Sequence, residues 1–146
     1  MFSFAVMKTL AITLSAIVMM TSFSSCTSLK EKYAKNERAS AAYLAAKRTL
    51  PPKTNIEGVW FSPQWGMVVL NQDRAGRLTG LFQDHYFVNG VVSGKEAFIT
   101  LTDDDWVEYT VELRRKSSEE LVGFYSPSVP FLEKDANDLL LTRIGD

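Results

Sequence analysis

The stretch Trp106-Val107-Glu108-Tyr109-Thr110-Val111-Glu112-Leu113 decides the fold class. Val107, Tyr109, Val111 and Leu113 alternate with Glu108, Thr110 and Glu112, and a period of two puts the apolar set on one face of a half-buried strand. Working outward, seven more short β-prone runs appear: Ile56 to Phe61, Gly66 to Asn71, Leu78 to Gln83, Tyr86 to Val92, Ala97 to Thr102, Glu120 to Tyr125 and Asp138 to Ile144. Turn-forming residues accompany them at Gln72-Asp73-Arg74-Ala75-Gly76, Asn89-Gly90, Ser93-Gly94, Asp103-Asp104-Asp105 and Lys116-Ser117-Ser118. Links this short join antiparallel neighbours, so a meander is predicted, and closure into a barrel would remove the exposed sheet edges. The fold class expected is mainly β: a small antiparallel up-and-down meander or barrel of about eight strands, preceded by a signal peptide and a short α-helical spacer.

Upstream of the β-prone runs the pattern changes twice. Lys8 precedes an apolar and hydroxyl-bearing run from Thr9 to Phe23, followed by Ser24, Ser25 and Cys26, the order of a signal peptide. The run is too short and too rich in Ser and Thr to span a ~30 Å hydrocarbon core, which takes ~20 apolar residues. Next comes a stretch of helical composition, Leu29 to Thr49, with Ser28 as its expected N-cap and Pro51 and Pro52 as its stop. Its apolar face (Leu29, Tyr33, Tyr43, Leu44) is thin, so little burial is expected of it. It reads as a solvated tether or as a basic segment lying against anionic headgroups. The division is then 1–25 signal peptide, 26–53 helical spacer and 54–146 β domain.

Charge follows the same division. Residues 26–53 carry seven bases against two acids, net +5, whereas residues 54–146 carry eight bases against fifteen acids, net −7. An acidic domain disfavours a nucleic-acid role. A single cysteine excludes an internal disulfide and the cysteine-rich zinc sites.

Phe23-Ser24-Ser25-Cys26 resembles the lipobox of bacterial lipoproteins, with Phe23 standing where an aliphatic residue is usual. The resemblance implies that Cys26 is lipidated and becomes the first mature residue. The protein would then be held on a membrane of the cell envelope. Thr27, rather than Asp, after the cysteine resembles lipoproteins sent to the outer membrane, and so implies its periplasmic face. The alternative is an ordinary signal cleavage after Ser24 or Ser25, giving a soluble secreted protein. Gly58-Val59-Trp60 on the first expected strand and Gly76-Arg77-Leu78-Thr79-Gly80 on a later hairpin resemble segments of avidin-like and lipocalin-like (calycin) barrels. No ligand-binding residue of those families matches a position in this chain.

Candidate chemistry is sparse. Asp84-His85 reads as a turn, since neighbours on a strand point apart, and no Gly-x-Ser-x-Gly elbow accompanies the histidine. Asp103-Asp104-Asp105 lacks the spacing and distal glutamate of a calcium loop. No enzyme activity, cofactor or metal is expected. Trp60, Trp65, Trp106 and Tyr109 would either fill the barrel or line a pocket for a small apolar ligand. Two roles follow: a structural or interaction protein meeting another envelope component, or a carrier or sensor holding a small apolar ligand in the barrel.

Overall fold

A computed structural model describes residues 29–104 and 106–145; the expected signal peptide and Cys26 lie outside the described residues. One α-helix, α1 (29–47), precedes eight strands: β1 (Gly58–Ser62), β2 (Gly66–Gln72), β3 (Arg77–Phe82), β4 (Tyr86–Ser93), β5 (Glu96–Asp103), β6 (Trp106–Arg115), β7 (Glu120–Ser126) and β8 (Asn137–Gly145). Each strand pairs antiparallel with the next, and β8 pairs with β1 to close the barrel. The mainly β, up-and-down architecture expected from the alternating runs is therefore what the chain forms.

The period of two explains how the barrel is filled. Val68, Leu70, Leu78, Phe82, Ile99, Leu101, Val111, Leu121 and Leu141 are buried in one cluster, with Trp60 and Trp65 among them. Interior space this narrow needs small residues at some positions. At Gly80 (φ +144°) a Cβ would stand 1.9 Å from the Val69 carbonyl oxygen, and at Gly123 one would stand 1.9 Å from that of Glu112. At both points the neighbouring strand's backbone occupies the space of a side chain.

Three local features depart from the sequence expectation. Asn89-Gly90 is no turn: both residues lie inside β4, where Gly90 pairs with Ile99. A Cβ there would meet the Phe98 carbonyl oxygen at 2.6 Å, so glycine answers to close strand approach. In β6 the register shifts between Leu101 and Thr102, so that Tyr109 pairs with Leu101 but Val107 pairs with Thr102. The extra residue, Glu108, breaks the alternation, and Val107 joins the outer-wall residues instead of sharing the inward face of Tyr109, Val111 and Leu113. Finally, residues 54–57 precede β1 as irregular chain, with the Ile56 amide donating to Gln72 Oε1 at 2.9 Å.

The helix also does more than its thin apolar face suggested. The compact unit that holds the barrel begins at Asn36, so the later turns of α1 belong to it. Tyr43, with Leu44 beside it, packs against Val91 and Phe98 on the outer wall of β4 and β5. The Tyr43 hydroxyl donates to Glu112 Oε1 at 2.8 Å, Lys47 pairs with the same oxygen at 3.4 Å, and Lys47 Nζ lies 4.6 Å from the Phe98 ring centre. Burial and the nearby carboxylate of Glu112 hold the Tyr43 phenol neutral, well above its ordinary pKa. Past the helix, the amides of Thr49 and Leu50 donate to Ser93 Oγ, and Lys53 N donates to the Gly94 carbonyl at 2.7 Å. The segment linking helix to barrel is thus fastened to the β4–β5 turn.

Candidate functional site

The four aromatic residues singled out in the sequence go to three different places. Trp60 is completely buried near the end of the barrel where β1 begins. Its indole N–H donates to the Ile56 carbonyl at 3.1 Å, and the Arg143 guanidinium lies 4.4 Å from its ring centre. Arg143 Nε and Nη2 donate to the carbonyls of Ser118 and Glu57 at 3.1 and 3.2 Å. One cation therefore ties β8 to two loops and lids the indole, a structural closure of this end.

Trp65 and Tyr109 come together at the opposite end. Trp65 sits in the β1–β2 turn, where Ser62 Oγ accepts from the amides of Gln64 and Trp65 and Gly66 takes a left-handed conformation (φ +67°). That turn folds the indole back into the barrel mouth. There it meets Phe82, Tyr86, Tyr109 and Tyr125 edge to face, with ring centres 5.7, 5.4, 5.1 and 5.2 Å away. Such pairs contribute ~0.5–1.5 kcal/mol each beyond burial, so Trp65 acts as a plug. Its indole N–H is buried without a hydrogen-bond partner; perpendicular rings are the geometry in which an aromatic face accepts an N–H weakly. Residues suited to a ligand pocket here fill the space with one another.

The mouth also gathers negative charge. Glu108 turns toward Tyr86, whose hydroxyl lies 3.5 Å from its Oε2. Burial, followed by Tyr109, Glu108 and Asp103, pushes the Tyr86 phenol up to about 12. Because the folded value is raised, its stabilising contribution is complete below the unfolded phenol value of ~10 and falls as pH rises from there through about 12. Ultraviolet titration of phenolate should show Tyr86 and Tyr43 ionising only above the ordinary phenol value, together with alkaline unfolding. Ionisation of Tyr86 and Tyr43 at the ordinary phenol value in a protein that stays folded would contradict this placement.

Trp106 stands apart, on the outside. It is partly exposed and lines a cleft of about 580 Å³ between α1 and the outer wall of β4 to β6. Asp84 and His85 lie in the β3–β4 turn, where the imidazole stacks on Tyr86 at 4.2 Å. Asp103 and Asp104 lie at the β5–β6 turn, with Asp104 left-handed (φ +45°), and Asp105 lies outside the described residues. Among the described residues no group of three or more histidine, cysteine or carboxylate side chains is arranged to hold a metal. None of their helices is long and apolar enough to cross a membrane.

The sequence reading missed an apolar strip on the outer wall. Phe61 pairs with Met67, and Val69, Leu81 and Phe87 are successive cross-strand partners on β2, β3 and β4. Phe61, Met67 and Phe87 are all about half exposed or more. Outward alternation was the available signal, since these residues occupy the positions between the buried ones. Comparison with known protein families, with curated proteins and with solved structures returned no match.

Proposed function

We propose that this chain is a lipid-anchored protein of the bacterial cell envelope whose barrel serves as a non-catalytic interaction module. The observation that carries the interaction role is the pairing of a barrel interior filled by its own side chains with an outer apolar strip in which Phe61, Met67 and Phe87 are exposed and Val69 and Leu81 half-buried. A carrier needs its apolar surface turned inward around space; here Trp60, Trp65 and Tyr109 pack against other residues of the chain. An exposed apolar patch beside polar surface is what a protein-binding face requires. The partner fitting an acidic barrel with such a strip is another envelope protein.

The anchor rests on the order of signal peptide and lipobox ending at Cys26, with the outer membrane as the destination that Thr27 suggests. Two or three acyl chains on one cysteine bind a bilayer stably, each buried CH₂ contributing ~0.8 kcal/mol. Gly58-Val59-Trp60 on the first strand of a closed eight-stranded meander supports the likeness to calycin barrels.

The test is Cys26→Ser, expressed in a bacterium that processes lipoproteins. The wild-type chain should partition into the detergent phase and the variant into the aqueous phase. Equal partitioning of the two would remove the anchor from the account.

A further inference from the structure

Charge is divided unevenly around the barrel, and the bare side is the one that carries the apolar strip. Strands β1 to β4 hold a single charged residue, Arg77, whereas β5 to β8 hold six carboxylates and three arginines. On the outer wall of β1 to β4, Phe61, Met67 and Phe87 are exposed and Val59, Val69 and Leu81 half-buried. The next outward positions are Asn71, Thr79 and Asn89, successive cross-strand partners that are exposed and uncharged. Ionisable groups stand at the two ends of this face, with Asp84 and His85 in the β3–β4 turn and Asp73 and Arg74 in the β2–β3 turn. Tyr43 of α1 packs on Val91 and Phe98, to the side of the strip.

That distribution restricts what could cover the strip. A strongly charged partner is selected by opposite charge, and this face offers none. A bilayer surface is met by apolar side chains flanked by Lys and Arg; here the one base, Arg77, lies at the far edge, and the acidic Asp84 is the charged neighbour of Phe87. A second copy of the chain has the opposite requirement. A two-fold interface brings one patch against itself, so any charge near the axis faces its like. Residues 54–146 are net −7, so two copies repel over most approaches and meet without like charges on the outer wall of β1 to β4. Phe and Met in place of charged side chains are also the composition of an interface core.

We infer that the outer wall of β1 to β4 is the contact face of a homodimer, with the two-fold axis near Val69 and Leu81 and with Phe61, Met67 and Phe87 of each copy buried between the two. The inference rests on the reading of the strip as an interaction face and names its occupant. At strand spacing the outward residues cover roughly 300 Å² in projection. That is small beside the ~800 Å² per partner of a standard interface, so the dimer is weak and reversible.

The test is sedimentation equilibrium of the full chain in detergent, over concentrations up to ~1 mM. The wild type should show a monomer–dimer equilibrium with a Kd in the micromolar range. Phe87→Asp puts a carboxylate into the face at a position 63% exposed, and should weaken the dimer about tenfold or more with circular dichroism unchanged. Phe124→Asp, at a position 48% exposed on β7 outside the strip, should dimerise as wild type. A photoreactive benzoylphenylalanine in place of Phe87, irradiated in the protein's own membranes, should give an adduct between two copies of the chain. A monomer at every concentration, or equal effects of Phe87→Asp and Phe124→Asp, would overturn the dimer. An adduct with a different protein alone would overturn it while keeping the strip as an interaction face. An adduct with lipid alone, or none, would remove the interaction reading as well.

Discussion

Replacing Trp60 with alanine is expected to cost about 4 kcal/mol of folding stability, in the range measured for burying and then deleting a large aromatic ring. Trp60 is completely buried, it satisfies the Ile56 carbonyl, and it is the surface on which the Arg143 guanidinium rests. Removing it leaves a cavity, an acceptor without its donor, and an arginine without the ring that positions it. Urea unfolding followed by far-ultraviolet circular dichroism measures the loss. Trp106→Ala is the matched control: the same substitution at a partly exposed site should change stability by less than ~1 kcal/mol. If the two variants unfolded at the same urea concentration, Trp60 would not be the closure of the barrel end described here.

The second large effect is at Gly80. Alanine there is expected to destabilise by about 3 kcal/mol or more, because two costs coincide. The backbone holds φ at +144°, a region L side chains rarely adopt, and the new Cβ would lie 1.9 Å from the Val69 carbonyl oxygen and 2.9 Å from its carbon. Both obstructing atoms are backbone in the paired strand β2, so relief requires β2 and β3 to separate. Gly66→Ala isolates the conformational cost alone, since φ is +67° but nothing lies within 4 Å; about 1 kcal/mol is expected there. Thermal unfolding of both variants beside wild type separates the two contributions. Equal losses at the two positions would mean that steric contact with β2 contributes nothing.

These residues also show how far the sequence could be read. The strands were legible because inward and outward residues alternate over most of each one, and the short polar links between most of them leave antiparallel pairing as the simple topology; only the β7–β8 link, residues 127–136, is long. Glu108 shows where that reading fails. A bulge is invisible to a period-of-two pattern, and it carried Val107 to the outer wall while Glu108 turned toward Tyr86. Gly90 misled for a related reason: Asn-Gly is a strong hairpin signal locally, yet this glycine is required by the approach of β5.

Site residues were legible as types and not as places. Trp60, Trp65, Trp106 and Tyr109 looked like one aromatic set, but the closure of the barrel distributes them between its two ends and its exterior. Only Trp65 and Tyr109 meet. The helix was underestimated because its apolar stripe is short. Tyr43 docks through a hydroxyl bonded to Glu112 and a ring against Phe98, and a polar anchor on an aromatic residue leaves little trace in a count of apolar positions. The Trp106 cleft needs α1 to be placed over β4 to β6, a tertiary relation that no local pattern encodes.

Native mass spectrometry of the protein released gently from its own membranes tests the account most directly, because one spectrum reports both the anchor and the barrel's contents. The account predicts a chain beginning at Cys26 that carries acyl groups and retains no apolar ligand. A chain without lipid, or one that holds an apolar molecule through gentle release, would contradict it.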